Sequence, residues 1–286
     1  MAELRTLNPE PSTAIIAPMP QAEAEEAMDR TDRPDRVAYS MRALGRAGLP
    51  TEFALDGTTY RLLRTAKHDF FAATAFYRSD AGRTVVLKAS RTVDFAGLPL
   101  QWLGRWLCRR EMWFYNRLSD LPNVPRVLGT VGPTGFVHDY VPGRPLEKDK
   151  PVPDGFFAEL QHLLAEVHRR GMAYVDTNKP QNILLGDDGR PHLIDFQISY
   201  DLQELGDWAP NRWWLRRLQK EDLYHVLKHK RRMRPDEMTD EENERATRKS
   251  ALIRFHRFVT RPYFLLRRRT FKRLRDTGRL LPEGSK

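Results

Sequence analysis

The sequence contains a single cysteine, Cys108, among 286 residues. One cysteine excludes an intrachain disulfide and any cysteine-cluster zinc site. No run approaches the roughly 20 apolar residues that a membrane-spanning helix needs. The apolar stretch from Ala14 to Ala17 is too short for a secretory signal. Together these absences predict a protein of the reducing cytoplasm.

No internal repeat of useful length and no low-complexity array is present either. Hydrophobic residues make up 40% of the chain and charged residues 30%, which is enough apolar material for a core surrounded by exposed helices. The net charge of +10 indicates an anionic partner. A nucleotide, a membrane surface and nucleic acid all fit that charge.

The composition changes along the chain. Residues 1–40 are rich in Pro, Glu, Ala and Asp without a sustained apolar period, so we predict a disordered tail. Residues 53–141 contain short strand-like runs, a turn signal at Ser79-Asp80-Ala81-Gly82 and one helix near Leu103–Leu118. This order predicts a small lobe with an antiparallel sheet and one helix.

Residues 142–230 are predicted to form a larger, mainly helical lobe. Its first helix ends before Gly171 and repeats apolar side chains at helical spacing. These side chains are Phe156, Phe157, Leu160, Leu163, Leu164 and Val167. Residues 231–286 are predicted to be a basic helical extension. The predicted fold class is α+β, with two lobes.

The most informative stretch follows residue 174. Two apolar runs, Ile183–Leu185 and His192–Ile194, flank a Gly-Asp-Asp-Gly turn and predict a β-hairpin. Asn182 enters the first strand and Asp195 leaves the second, so both lie at one end, about 5 Å apart across the strands. An amide oxygen and a carboxylate at that separation can share one Mg²⁺, which prefers oxygen ligands and phosphate.

Asp176 lies on the loop that leads into the same end of the hairpin. From there it can orient an attacking hydroxyl or accept its proton. Taken singly, Asp176, Asn182 and Asp195 also have structural explanations, as a turn cap, a strand start and a cap of the next element. Their joint placement around a hairpin favours the functional interpretation.

These residues resemble the catalytic loop and metal-binding motif of the protein-kinase-like superfamily, where Asp-x-x-x-x-Asn precedes a hairpin ending in Asp-Phe-Gly. The compact RIO, lipopolysaccharide-kinase and aminoglycoside-phosphotransferase branches are similar in style. The resemblance covers roughly residues 60–199 and implies a two-lobed kinase-like fold. It also implies that Asp176 is the catalytic base, that Lys179 contacts the γ-phosphate, and that Asn182 and Asp195 hold Mg²⁺.

Two upstream residues fit the same resemblance. Lys88 ends a β-rich run, like the kinase lysine that contacts the α- and β-phosphates of ATP. The alternative is a lysine at the end of a surface strand. Glu111 lies on a mostly apolar helix face, where an unpaired carboxylate is costly. We predict a Lys88–Glu111 ion pair, with a local pair to Arg110 as the alternative.

Residues 135–146 resemble the hinge strand between kinase lobes. The resemblance implies that main-chain groups near His138 and Tyr140 bond the adenine edge of ATP. An ordinary strand followed by a Pro-Gly turn is the alternative interpretation.

The sequence departs from the family pattern in three places. Thr65–Thr74 occupies the place of the glycine-rich phosphate loop without a glycine. Asn182 follows Asp176 by six residues instead of five, so the loop bulges or Asn178 replaces Asn182 as the metal ligand. Gln197 stands where Asp-Phe-Gly has its glycine, and no Ala-Pro-Glu motif follows.

From residue 213 onward, arginines and lysines cluster with aromatic side chains. The clusters are Trp213–Arg217, Lys228–Arg232, Arg254–Phe258 and Phe264–Arg273. An interfacial helix on anionic lipid, a nucleic-acid surface, and a helix packed on the large lobe with solvated arginines all fit this composition.

The sequence therefore predicts an ATP- and Mg²⁺-dependent kinase that transfers the γ-phosphoryl group to a hydroxyl of a protein serine or threonine, a sugar or a lipid. The predicted location is the cytoplasm, with a peripheral position at the inner face of the membrane as a further hypothesis. A catalytically inactive pseudokinase that serves as a nucleotide-binding or scaffold module is the rival interpretation. A basic nucleic-acid-binding protein is a third.

Overall fold

The computed structural model describes residues 12–14, 39, 42–95 and 98–247 of the chain. These residues form two structural units. Unit 1 contains the described residues up to Met112 together with Arg126–Tyr140. Unit 2 contains Trp113–Pro125 together with the described residues from Val141 onward.

Unit 1 is built on one seven-stranded sheet. Its strands are Ser12–Ala14 (β1), Glu52–Leu55 (β2), Thr58–His68 (β3), Ala72–Ser79 (β4), Thr84–Ser90 (β5), Val127–Val131 (β6) and Gly135–Asp139 (β7). The spatial order is β1-β6-β7-β5-β4-β3-β2, and the strands are antiparallel except for β1, which pairs in parallel with β6. Strand β1 lies inside the segment predicted to be a disordered tail.

Local sequence explains the meander from β2 to β5. Asp56-Gly57 makes the two-residue turn between β2 and β3, with φ values of 49° and 73°. Positive φ at both positions is what the common tight hairpin turns require. Gly82 has φ 84° in the turn between β4 and β5, where the turn signal predicted it. One face of the sheet buries a cluster of apolar side chains: Phe53, Leu55, Tyr60, Ala75, Tyr77, Val85, Leu87, Val131 and Val137.

The predicted helix of this part of the chain spans Gln101–Arg117 (α1). Its residues up to Met112 belong to unit 1. Gly104 permits a close approach of α1 to the preceding segment, because a Cβ there would lie 1.8 Å from the carbonyl oxygen of Arg91. Any other residue at this position would push the helix away from the strand that carries Lys88.

Unit 2 is mainly helical, with short strands between the helices. The helices are Phe156–Arg169 (α2), Leu202–Leu205 (α3), Ala209–Met233 (α4) and Asp240–Thr247 (α5). The strands are Gly143–Pro145 (β8), Met172–Ala173 (β9), Ile183–Gly186 (β10), Pro191–Leu193 (β11) and Tyr200–Asp201 (β12). All six apolar side chains predicted for the first helix are buried on α2, and Gly171 follows it with φ 76°.

The predicted hairpin is confirmed. Strand β10 pairs antiparallel with β11, with Ile183 opposite Leu193, and with β8 on its other side. The segment 113–125 belongs with these strands rather than with the sheet of unit 1. The reason is Asn123, which donates to the carbonyl of Pro191 at 2.7 Å and accepts from the amide of Leu193 at 3.0 Å.

The predicted α+β fold class is confirmed, with an antiparallel sheet and one helix in the first unit and a mainly helical second unit. Beyond residue 208 the described chain is helical over 209–233 and 240–247. The basic clusters that begin at residue 254 lie outside the described residues. In the described part of the chain, no helix has the length and apolar character needed to cross a bilayer.

Candidate active site

The backbone that leads into Asp176 is strained. The amide of Asp176 donates to the carbonyl of Tyr174 at 2.8 Å, and Val175 between them has φ 68° and ψ −35°. This arrangement is a γ-turn with positive φ, which is rare, and a β-branched side chain makes it more costly. Strain of about 1–3 kcal/mol per residue persists where the surroundings impose it, and it clusters at active sites.

Asp222 of α4 holds this turn in place. Its side chain is 0% exposed and accepts hydrogen bonds from the amides of Tyr174 and Val175, both at 2.8 Å. The hydroxyl of Thr177 donates to the same carboxylate at 3.1 Å, and Nε2 of His168 lies 3.0 Å from it. Four groups from two segments thus converge on one buried side chain.

No motif identifies Asp222 from the sequence. The helical spacing nevertheless indicates that Asp222 lies on the buried face of α4. Asp222 lies seven residues after Leu215 and four before Val226, and both of those side chains are buried on α4. An aspartate on the buried face of a basic helix requires a partner, since an unpaired buried charge is costly.

Asp176 is buried and makes two close contacts through one carboxylate oxygen. Nζ of Lys179 and Nδ2 of Asn182 both lie 2.7 Å from its Oδ2. Asn182 is therefore beside Asp176 despite the six-residue spacing. Asn178, the alternative to Asn182, is exposed.

The loop accommodates its extra residue with two short 3₁₀ turns. Residues 176–178 form the first and 180–182 the second, and Lys179 between them is extended, with φ −96° and ψ 103°. Pro180 begins the second turn, where its fixed φ is compatible with helical geometry. The bulge required by the spacing is therefore a defined double turn.

Burial raises the pKa of the Asp176 carboxyl above its ordinary value of 3.8. The hydrogen bond and charge of Lys179 oppose that rise, whereas the negative charge of Asp195 adds to it. A carboxylate with a raised pKa is a stronger base, which suits proton abstraction near neutral pH.

The hairpin brings Asn182 and Asp195 to the same end, as predicted. The amide of Ile194 donates to the carbonyl of Asn182 at 3.1 Å. The hydroxyl oxygen of the buried Tyr174 lies within hydrogen-bond distance of the carbonyls of both Asn182 and Ile194, which share its one hydrogen. One tyrosine thus ties the start of β10 to the residue that precedes Asp195.

Asp195 itself has left-handed backbone geometry, with φ 64°. Its amide donates to the hydroxyl of Tyr115 at 3.0 Å. The ring of Phe196 is fully buried and makes edge contacts with Tyr115 and Tyr174, with centroids 4.9 and 5.2 Å away. These contacts fix the backbone on both sides of the Asp195 side chain.

In unit 1 the predicted Lys88–Glu111 ion pair is confirmed. Nζ of Lys88 lies 2.7 Å from Oε1 of Glu111, and the two side chains are 7% and 1% exposed. The pair joins β5 to α1. Its burial rules out the alternative that Lys88 merely ends a surface strand.

The two predicted hinge residues have different environments. His138 lies within β7, with Val86 of β5 on one side and Val127 of β6 on the other. Tyr140 follows the end of β7, and its ring makes an edge contact with Phe76 at 5.5 Å. The main chain at His138 is thus paired with a strand on both sides, whereas Tyr140 lies beyond the paired part of β7.

The turn between β3 and β4 occupies the place of the missing glycine-rich loop. Asp69 accepts from the amides of Phe71 and Ala72, both at 2.9 Å. The guanidinium of Arg91 donates to the carbonyl of Phe70 at 2.9 Å and lies 4.0 Å over its ring. Side-chain contacts fix the conformation of this turn, whereas the glycines of a glycine-rich loop would give the backbone more conformational freedom.

The order of these features matches the protein-kinase pattern of a strand lysine paired with a helix glutamate, then a catalytic loop, then a hairpin ending in a metal-binding aspartate. The fold is protein-kinase-like.

Comparison with known proteins finds similarity at the level of structure alone. No family model matches the chain. No curated protein matches it. The chain is similar to the Rio2 kinase of Chaetomium thermophilum in its complex with ADP/Mg²⁺ and phosphoaspartate, with 19% identity, a TM-score of 0.48, and coverage of 62% of this chain and 56% of that one.

Two further structures have comparable similarity. A second structure of the Chaetomium thermophilum Rio2 kinase has 19% identity and a TM-score of 0.46, covering 60% of this chain and 58% of that one. The BubR1 kinase domain has 13% identity and a TM-score of 0.47, covering 65% of each chain. The chain thus spans less than two thirds of the length of each of these structures.

Proposed function

We propose that the protein is an ATP- and Mg²⁺-dependent phosphotransferase that moves the γ-phosphoryl group to a hydroxyl. The observation that carries the proposal is the position of Asn182. Despite its irregular spacing, its amide lies 2.7 Å from the Asp176 carboxylate and at the same hairpin end as Asp195. A base and two oxygen ligands are thereby gathered in unit 2.

Within this proposal Asp176 is the catalytic base. Its raised pKa suits the removal of a proton from an acceptor hydroxyl. Lys179 neutralises negative charge beside it and contacts the γ-phosphate. Because Lys179 and Asn182 share one oxygen of Asp176, the carboxylate is held in one orientation.

The oxygen donors fit magnesium. Asn182 donates a hydrogen bond through its amide nitrogen, which leaves its amide oxygen for a metal, and Asp195 supplies a carboxylate. In the described residues no group of three or more His, Cys, Asp and Glu side chains is arranged around a metal site. Magnesium suits such a sparse set, because it is commonly bound by one or two protein ligands with phosphate and water. When bound, it neutralises phosphate charge.

In unit 1 we assign Lys88 to the α- and β-phosphates, with Glu111 holding its ammonium group in position. Main-chain groups near His138 and Tyr140 are assigned to the adenine edge. Strand pairing on both sides of His138 favours the chain beyond the strand end, at Tyr140, for this contact.

The acceptor class is proposed as a protein serine or threonine, a sugar or a lipid hydroxyl. The basic and aromatic character of α4 supports a membrane-proximal acceptor, at the inner face of the membrane in the cytoplasm. Trp213 and Trp214 are exposed on this helix, and the basic residues Arg231 and Arg232 lie in its last turn. Lys230 of the same turn is buried and pairs with Glu242, so it does not contribute to this surface.

The rival function is a catalytically inactive pseudokinase that serves as a nucleotide-binding or scaffold module. The turn between β3 and β4 favours it, because bulky side chains and the Arg91 contact stand where glycines would allow close approach to phosphates. The phosphotransferase turns over ATP, whereas the pseudokinase does not.

Asp195→Ala tests the proposal. We expect Mg²⁺-dependent ATP hydrolysis or autophosphorylation to fall by at least about a hundredfold, since the carboxylate proposed to hold the charge-neutralising Mg²⁺ is lost. The circular dichroism spectrum should be unchanged. Asp187→Asn, an exposed carboxylate at the other end of the same hairpin, is the matched control and should retain full activity.

Equal activity in wild type and Asp195→Ala contradicts the proposal. Nucleotide binding by wild type without turnover identifies the pseudokinase. Absence of nucleotide binding in a folded wild-type protein excludes the phosphotransferase and favours the scaffold form of the pseudokinase.

A further inference from the structure

The outer face of α1 exposes large apolar side chains that unit 1 does not use. Trp102 is 65% exposed and Trp106 is 53% exposed. Leu98, three residues before the helix begins, is 63% exposed. Two tryptophans in such positions are unusual, because a large exposed apolar patch generally marks an interaction site.

Helical spacing places these tryptophans together with two arginines. Trp102 and Trp106 are four residues apart, as are Arg105 and Arg109, and all four side chains are exposed. Side chains three or four residues apart lie on one side of a helix. We call the surface made by Trp102, Arg105, Trp106 and Arg109, together with the exposed Leu98 just before the helix in sequence, the Trp-Arg face.

The opposite side of α1 has a separate role. Cys108 and Glu111 are buried there, and Glu111 pairs with Lys88. The Trp-Arg face is therefore not the face by which the helix packs on its own unit.

The charged side chains of the Trp-Arg face, Arg105 and Arg109, are both positive. Glu111 is the single acidic residue of α1, and it is buried in its pair with Lys88. Arg105 and Arg109 form no ion pair with a residue that the structure describes. Elsewhere in unit 1, Arg61 and Arg83 pair with aspartates at the surface. The arginines of this face are thus available to an anionic partner.

We propose that the Trp-Arg face docks on an anionic lipid surface. Tryptophan suits the headgroup region of a bilayer, since its ring is apolar and its indole N–H needs a polar partner. Arginine binds phosphate through its guanidinium fork, and cationic side chains are attracted to anionic leaflets. The proposal is independent of the proposed phosphotransferase activity and of the basic region that begins at residue 213.

Two other partners fit the face less well. A two-fold contact between copies of the chain would bring Arg105 and Arg109 of one copy near those of the other, with no carboxylate on the face to offset them. A single-stranded nucleic acid would stack on the tryptophans, but the aliphatic Leu98 offers no stacking surface. Leu98 adds apolar area that acyl chains can cover.

The test is co-flotation of the full chain with vesicles of phosphatidylcholine alone and of phosphatidylcholine mixed with phosphatidylglycerol. We expect binding to the mixed vesicles that weakens with added sodium chloride. Arg105→Gln/Arg109→Gln should reduce partitioning by about 25-fold, since each arginine near an anionic surface contributes roughly fivefold. Trp102→Ala/Trp106→Ala should reduce it by at least about tenfold.

The matched control is Leu63→Ala/Arg78→Gln, which removes an exposed leucine and an exposed arginine from the sheet of the same unit. It should bind like wild type. All six side chains altered in these variants are exposed, so each variant should keep the wild-type thermal unfolding midpoint.

Three outcomes overturn the proposal. Wild-type binding by both α1 variants shows that another surface carries the lipid contact. Loss of single-stranded RNA binding in these variants, without any vesicle binding, assigns the face to nucleic acid. A dimer in solution that the variants convert to monomer assigns it to a second copy of the chain.

Discussion

Neighbouring groups have opposing effects on the pKa of the Asp176 carboxyl. Burial and the charge of Asp195 raise its pKa, while Lys179 and Asn182 stabilise the ionised form through hydrogen bonds. In the proposed reaction Asp176 accepts a proton, so it must be ionised. The rate should therefore fall on acidification through a pKa that lies above the ordinary value of 3.8.

Removal of the Lys179 side chain should shift the acid limb of the pH profile, which is the fall in rate at low pH. Lys179→Ala eliminates the strongest group that lowers the Asp176 pKa, so the pKa rises further and the midpoint of the acid limb shifts to higher pH. The measurement is the pH profile of kcat for ATP turnover. Lys179→Arg retains the charge and should retain most of the wild-type midpoint. An unmoved midpoint in Lys179→Ala means that another group titrates.

The positions of residues were predictable where a motif carries them, and unpredictable where they depend on contacts between distant segments. The motif around the hairpin identified Asp176, Asn182 and Asp195 as neighbours. Asp222 lacks a motif, since its partners are backbone amides whose direction depends on the fold. The strain at Val175 is also invisible in sequence, because valine seldom adopts positive φ.

Within unit 1, the Lys88–Glu111 ion pair joins one strand to one helix. The pair connects β5 to α1, and both side chains are almost completely withdrawn from water. Removing one partner of such a pair leaves a buried charge alone, whereas replacing both by apolar groups avoids that cost.

A double-mutant cycle tests this connection. Lys88→Met and Glu111→Leu should each lower the free energy of unfolding by about 3–5 kcal/mol. The double variant should recover at least half of that loss and remain inactive, because the ammonium group is absent. Urea titrations measure the stabilities. Strictly additive losses would contradict a direct interaction between the two side chains.

The sequence predicted several elements well because each satisfies its own periodicity. The apolar spacing of α2 and the turn chemistry of the β10–β11 hairpin both appear in the structure. The turn between β3 and β4 was harder to predict, since its conformation depends on Arg91, which lies more than 20 residues away in the chain.

The whole chain has one thiol, and its surroundings make it inert. Burial, with a smaller contribution from the charge of Glu111, raises the pKa of Cys108 to about 12. The thiolate is the reactive form, so reaction requires opening of the surrounding structure.

Thiol labelling should therefore report unfolding. In native buffer at neutral pH, Cys108 should react at least about a hundredfold more slowly than in denaturant. Its reactivity should appear over the same urea range as the loss of ellipticity. Asp187→Cys places a thiol at an exposed position and serves as the fast-reacting control. Rapid labelling of the native wild type would show that the helix opens locally.

At the scale of the molecule, the sequence by itself determined the α+β class, the helices α1 and α2, the β10–β11 hairpin, and the chemical types gathered around that hairpin. These depend on periodicity, turn residues and spacing, which are local properties of the chain. The tertiary structure decided which side chains become neighbours and which stay exposed, because local properties of the chain do not determine these. It brought Asn182 rather than Asn178 beside Asp176 through a double turn, placed Asp222 under the loop that carries Asp176, and left Trp102 and Trp106 of α1 exposed. Each of these depends on contacts between segments distant in sequence, where packing and burial determine which side chains meet.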